Sequence, residues 1–192
     1  GFAIMSACVL QVDYLIMSQY INLSDIVKYS LLFKLFSLLY IAYNTLLSTL
    51  WPLFSELRAS NKIDQIWVNV KLYILYGVFL YIFFTIIIFI WGNEIITLIT
   101  NVKVILPYNL IILVGFYFII RIWTDMFAIV LQSINCLIPL WIFTPIQALI
   151  SVFLQIYLSS KYGVMGIVIA LILSFLLTVS WALPIFAYKK LK

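Results

Sequence analysis

Four charged residues fall inside stretches that are otherwise apolar enough to lie in hydrocarbon: Asp13, Lys34, Arg121 and Asp125. On insertion scales a charge at the centre of a membrane helix costs about 2.5–3.5 kcal/mol, so four unpaired ones cost on the order of 10 kcal/mol. Groups kept at that cost face a bundle interior or a wet cavity, where they meet polar or charged cargo. The cations Lys34 and Arg121 suit an anionic ligand. The carboxylates Asp13 and Asp125 suit ion coupling or charge pairing. A lone ammonium is expensive to bury, which favours a cavity for Lys34. Arg121 and Asp125 are four residues apart and can pair along one helix face. They form either a self-neutralised structural pair or part of a cavity wall. Asp13 has the same two options, since it can salt-bridge Lys34 on the adjacent helix.

Neutral polar residues extend these positions into stripes. Ser30, Lys34, Ser37, Asn44, Ser48 and Ser55 share one face of a helix whose remainder is Leu, Phe, Ile and Tyr. Pro52 lies on the same face and is expected to kink the end of that helix. Tyr117, Arg121, Asp125, Gln132 and Asn135 share a face further on, and Thr144, Gln147, Ser151 and Gln155 share another, with Pro145 near its start. Asp13 has Gln11 and Ser18 on a neighbouring face. Interhelical hydrogen bonding and cavity lining explain such neutral residues equally well. As cavity lining, the candidates are Ser37, Asn44, Ser48, Gln132, Gln147, Ser151 and Gln155. A second pattern, Gly163, Gly166, Ala170, Ser174 and Thr178, is a seam of small residues suited to close helix packing.

The elements that must carry these residues are membrane helices. The 192 residues are 67% hydrophobic and only 9% charged, with a mean hydropathy of +1.23. A soluble domain is roughly a quarter charged, and a disordered chain is poor in apolar residues. A spanning helix needs about 20 apolar residues. Six stretches meet or approach that length: about 2–18, 29–55, 72–91, 106–131, 138–158 and 163–186. They are too long and too uniformly apolar for barrel strands. The fold class is therefore all-α integral membrane. The chain begins at Gly1, just ahead of an apolar run, and is expected to be part of a longer protein. Six spans place both ends on one side. That side carries Arg58, Lys62, Lys71, Lys189, Lys190 and Lys192, against Lys28, Lys103 and Lys161 opposite. The bias puts both ends in the cytoplasm. Segment 56–70 forms either an interfacial amphipathic helix or a solvated connector. The span 72–91 has few polar residues and is expected to face lipid.

Absences narrow the chemistry. There is no histidine, which removes His-based acid–base catalysis, Ser-His-Asp triads and His metal sites. Cys8 and Cys136 show no metal or disulfide spacing. None of the six glycines belongs to a phosphate-cradling loop. No basic cluster lies on a soluble segment, so the net charge of +5 points to positive-inside loops and anionic lipid rather than nucleic acid. No enzyme activity, cofactor or metal is expected.

Three phrases carry a family resemblance. Gln11-Val12-Asp13-Tyr14-Leu15-Ile16-Met17-Ser18 resembles the Asp-basic-hydrophobic-hydrophobic-Ser phrase opening the second half of O-antigen flippases, with Tyr14 where a basic residue is common. The run from Tyr29 to Ser37, followed by Leu50-Trp51-Pro52-Leu53-Phe54-Ser55-Glu56, resembles their next helix and its Trp-Pro-x-x-Ser-Glu end. Lys161-Tyr162-Gly163-Val164-Met165-Gly166-Ile167 resembles the Tyr-Gly-x-x-Gly entry to their last helix. The chain thus resembles the C-terminal six-helix half of a Wzx-type flippase of the multidrug/oligosaccharidyl-lipid/polysaccharide exporter superfamily. The resemblance implies one lobe of a two-lobed bundle of about twelve helices, with a cavity between lobes. It implies flipping of glycans carried on undecaprenyl diphosphate, for O-antigen and lipopolysaccharide biosynthesis at the bacterial inner membrane. The implied partners are that lipid-linked oligosaccharide, membrane lipids, the N-terminal half of the same protein, and the glycan polymerase and chain-length regulator. Lys34 matches a commonly basic site of the family, whereas Arg121 matches no motif and rests on its stripe. The alternatives are a drug or metabolite antiporter of the same superfamily and, more remotely, a membrane enzyme of surface-glycan assembly.

Overall fold

Hydrocarbon offers no partner for a peptide N–H or C=O, so a chain this apolar must satisfy its backbone within helices. The computed structural model describes residues 12–101 and 104–192, and those residues are helical between short turns. The described part of α1 covers residues 12–20. It is followed by α2 (Leu23–Ser48), α3 (Leu50–Ala59), α4 (Ile63–Thr100), α5 (Tyr108–Ser133), α6 (Ile138–Tyr162), α7 (Val164–Leu177) and α8 (Val179–Leu191). With α2–α3 and α7–α8 each taken as one interrupted rod, five rods among the described residues are long and apolar enough to cross a membrane. Most of the first expected span, with Gln11 and Cys8, lies outside the described residues, as does Lys103.

Local chemistry ends the helices. Asn61, Asn101 and Asn135 adopt positive φ, the left-handed conformation that Asn tolerates better than most residues. At the end of α5 the Cys136 N–H donates to the Leu131 carbonyl at 2.8 Å and the Asn135 N–H to Gln132 at 3.0 Å. This paired closure satisfies carbonyls that the helix would otherwise leave open. Lys62 to Leu57 and Asn61 to Arg58 repeat it after α3. Asn135 is therefore spent on the turn rather than on the polar face of α5. Pro52 explains the break at Thr49: its ring clashes with the carbonyl four residues back, that of Ser48, which is where α2 ends. The sixth stretch is also interrupted, at Thr178 (φ −128°, ψ −88°). In α8, Pro184 has no N–H to offer the Ser180 carbonyl, and the Trp123 indole of α5 donates to that oxygen at 2.8 Å.

Segment 56–70 is neither a separate interfacial helix nor a simple connector. It is the end of α3, a three-residue turn, and the first two turns of α4. The 38 residues of α4 reach about 57 Å, well beyond the roughly 30 Å of hydrocarbon. The uncharged stretch 72–91 is its middle. Leu72, Leu75, Phe79, Phe83, Ile86 and Ile90 stand exposed along it, as a lipid-facing helix requires. α5 is the central helix and packs against α2, α3, α4, α7 and α8. Gly166, Ala170, Ser174 and Thr178 are buried, on a helix packed closely against α6.

Candidate functional site

A cavity of about 810 Å³ opens among α1, α2, α5, α6, α7 and α8. All four intramembrane charges line it: Asp13 from α1, Lys34 from α2, and Arg121 and Asp125 from α5. Ser37, Thr144, Gln147 and Gln132 add polar groups, and Phe33, Phe118, Trp141 and Phe175 supply much of the apolar wall. A smaller cavity of about 490 Å³ adjoins it on α2, α3 and α5, lined by Tyr40, Asn44, Ser48, Trp51, Asp125 and Gln132 among others. Asp125 and Gln132 belong to both walls.

The four charges have different surroundings. The Asp13 side chain is 6% exposed. One of its oxygens accepts from Gln155 Nε2 at 2.7 Å and the other from the Tyr29 hydroxyl at 3.3 Å. It does not pair with Lys34. Neutral donors already serve both carboxylate oxygens, and Lys34 extends from α2 as an exposed residue. Among the described residues Lys34 has no hydrogen-bond or ion-pair partner. It is a free ammonium on a cavity wall.

Arg121 is held on several sides. Its Nε lies 3.7 Å from Asp125, and its Nη1 donates to the Tyr117 hydroxyl at 3.2 Å. Its guanidinium carbon sits 4.4 Å from the centre of the Tyr40 ring, a cation–π contact. The Tyr40 hydroxyl donates to Asp125, so the cluster ties α2 to α5. Both charged side chains remain more than a quarter exposed. The pair is thus structural and cavity-lining at once, and the two options open at the sequence level do not exclude each other.

The neutral candidates divide. Ser37, Gln132 and Gln147 line the large cavity, and Asn44, Ser48 and Gln132 the small one. Gln147 also donates to Ser174 Oγ at 2.9 Å, joining α6 to α7. Ser151 and Gln155 line neither cavity. They are 0% and 1% exposed, and Gln155 Nε2 also donates to Ser151 Oγ at 3.0 Å. The burial of α1 against this end of α6 turns the stripe inward, so these two support Asp13 rather than meet solvent. Ser30 accepts from the Tyr14 hydroxyl at 3.3 Å, and Ser55 is exposed beyond the α2–α3 break.

Similarity to known proteins extends over nearly the full length of the chain. It is 40% identical over 192 residues to a Salmonella typhi protein that bears the provisional name O-antigen transporter. A Salmonella typhimurium protein of the same provisional name is 37% identical over 185 residues. A Yersinia pseudotuberculosis protein, provisionally named an O-antigen export protein, is 41% identical over 184 residues. Over this length the chain is similar to proteins that carry O-antigen transport or export names. It spans about half the length of these relatives, 44%, 43% and 42% of them respectively. The relatives are named for transport or export and not for an enzyme activity. No family model matches the chain, and no solved structure does.

Apart from Tyr117, which stands in the α5 stripe, the tyrosines that hold these charges were not among the candidates read from the sequence. Tyr29 holds Asp13, Tyr40 and Tyr117 hold Arg121 and Asp125, and Tyr14 holds Ser30. A signal was available: Tyr117 and Arg121 are four apart, and Tyr29, Phe33 and Ser37 follow one another at the same spacing, beside Lys34. In a chain with 13 tyrosines, however, residue type alone does not separate a buried hydroxyl from an interfacial anchor.

Proposed function

We propose that this chain forms one lobe of a transporter that flips undecaprenyl-diphosphate-linked O-antigen, or a related polysaccharide repeat unit, across the bacterial cytoplasmic membrane by alternating access. The observation that carries the reading is the unpaired Lys34 ammonium on the wall of a cavity between membrane helices, in a chain whose relatives are named as O-antigen transporters. A diphosphate cannot cross hydrocarbon bare and needs fixed cations in a wet cleft. Lys34 supplies one whose charge no carboxylate cancels. Arg121 supplies a second, tempered by Asp125. The polyprenyl tail stays in lipid through a lateral opening while the glycan occupies the cavity. Asp13 or Asp125 couples movement to an ion. The N-terminal half of the protein completes the cavity wall, and the glycan polymerase and chain-length regulator act on the delivered units.

The test is Lys34→Ala in the full-length protein. O-antigen reaching the cell surface, read as the lipopolysaccharide ladder, falls by about tenfold or more, and Lys34→Arg keeps most of it. Undiminished export by Lys34→Ala removes the diphosphate role. A second expectation concerns orientation. With the basic turn around Arg58 and Lys62 and the Lys189–Lys192 end in the cytoplasm, single cysteines placed at Ser60 and Lys190 resist a membrane-impermeant thiol reagent in intact spheroplasts and react after lysis. Labelling of either without lysis inverts the assignment.

A further inference from the structure

The smaller cavity differs in chemistry from the larger one. Its wall has no cation. It offers two primary amides, Asn44 and Gln132, together with the Ser48 and Tyr40 hydroxyls, one edge of the Asp125 carboxylate, and the indole of Trp51. Among the described residues the Asn44 and Gln132 side chains have no hydrogen-bond partner, and both are exposed to the cavity. Ser48 donates to the Thr45 carbonyl at 2.7 Å, which leaves its oxygen free to accept. The Tyr40 hydroxyl and Arg121 Nε both meet one oxygen of Asp125, Oδ2. Trp51 is half exposed.

Each amide offers both donors and acceptors, and a carboxylate offers acceptors, which together match the vicinal hydroxyls of a sugar ring. The flat, electron-rich face of an indole attracts the polarised C–H bonds on the apolar face of a pyranose. A cavity of this size is within the range that holds a small ligand. Along α2, Asn44 lies ten residues from Lys34, about 15 Å at the helical rise. The two cavities meet at Asp125 and Gln132.

We infer that the cavity between α2, α3 and α5 is a carbohydrate subsite, in which a neutral sugar ring stacks on Trp51 and is held by Asn44 and Gln132, apart from the place where Lys34 meets phosphate. The inference rests on the transport reading above and adds a division of labour to it. The Pro52 break gives the subsite its position. By ending α2 at Ser48 it starts a new helix whose first turn carries Trp51 beside the polar end of the α2 stripe.

The test uses the purified full-length protein and two labelled probes: the phosphate-free oligosaccharide released from the host strain's O-antigen, and undecaprenyl diphosphate without sugar. Trp51→Ala weakens oligosaccharide binding by about tenfold and Trp51→Phe by much less, while undecaprenyl diphosphate binding stays within twofold for both. Asn44→Ala also weakens the oligosaccharide alone, and Lys34→Ala gives the opposite pattern. Equal oligosaccharide binding by wild type and Trp51→Ala overturns the subsite, as does failure of the wild type to bind the oligosaccharide. Parallel loss of both probes in Trp51→Ala and Asn44→Ala overturns it too. If undecaprenyl diphosphate binding remains Lys34-dependent in any of these cases, the subsite fails alone. If Lys34→Ala changes neither that binding nor export, the transport reading fails as well.

Discussion

Gln155→Leu destabilises the full-length protein by about 3 kcal/mol, read as a lower midpoint of unfolding in SDS, with little effect from Asp13→Asn. The reason is the cost of an unserved buried charge. Asp13 is 6% exposed and Gln155 1%, and the Gln155 amide gives the shorter of the two hydrogen bonds to the carboxylate, 2.7 Å against 3.3 Å from Tyr29. A hydrogen bond to a charged group contributes about 1.5–3 kcal/mol, and removing the donor leaves the acceptor to bear its desolvation. Leu is close to Gln in volume, so packing is nearly preserved. Asp13→Asn removes the charge but keeps an oxygen for Gln155, and its amide can donate to the Tyr29 hydroxyl. The two changes interact. In the Asp13→Asn background Gln155→Leu costs less by about 1–2 kcal/mol, a coupling that a double-mutant cycle isolates. Additive effects, within about 0.5 kcal/mol, refute the pairing. Ser151→Ala is the control. It removes the other acceptor of the Gln155 amide but no charge, so its effect is smaller.

That polar knot also shows where sequence reading stops. Periodicity says which residues share a helix face, and the face of α6 was legible as Thr144, Gln147, Ser151 and Gln155. It does not say which neighbour covers which length of the face. The first part of the stripe opens on the cavity and the last part lies against α1. The same limit hid the partners of Asp13. A cation on the next helix was the natural expectation, whereas a neutral amide from a helix more than a hundred residues away took the place. By contrast, Arg121 and Asp125 were legible as a pair because helical geometry alone brings them together. Helix ends were legible for a similar reason, since Asn61, Asn101 and Asn135 fall between the apolar stretches read from composition and Gly163 opens the last of them. Helix lengths were not. Hydropathy measures the hydrocarbon slab, and α4 runs past it at both ends. The Pro52 kink was legible in place, but its consequence, a second cavity beside Trp51, needs the packing of α3 on α5.

Gly166→Ala is expected to destabilise the protein by about 3 kcal/mol, against the usual sign of that change. Replacing Gly by Ala inside a helix ordinarily gains about 1 kcal/mol, because Gly loses more chain entropy on folding. At position 166 a methyl group meets backbone instead of side chain. A Cβ there lies 2.5 Å from the Leu158 carbonyl carbon and 3.0 Å from the Ser159 nitrogen, and overlaps the Leu158 oxygen. Those atoms belong to the last turns of α6 and cannot rotate away. The close approach is set up by Gly163, whose φ of +58° and ψ of −137° turn the chain back on itself in a region that glycine alone enters readily. Relief requires α7 to move off α6. That shift pulls Ser174 away from Gln147, which it meets at 2.9 Å, and displaces Leu171 and Phe175 from the cavity wall. Overpacking of a tight interface costs about 1–3 kcal/mol, and the lost hydrogen bond adds to it. Two other glycines set the scale. At Gly77 the atoms nearest a new Cβ are those at the ring end of Tyr43, 2.7 Å away, and a shift of that buried side chain, at the expense of its bond to the Tyr73 carbonyl, makes room. At Gly92 the nearest atom is the Ile88 side chain at 3.1 Å, so Gly92→Ala is near neutral. The expected order of destabilisation is Gly166, then Gly77, then Gly92, measured as SDS unfolding midpoints of the full-length protein. A Gly166→Ala protein as stable as the wild type would mean that α7 does not lie this close to α6, and the cavity wall built on that contact would have to be redrawn.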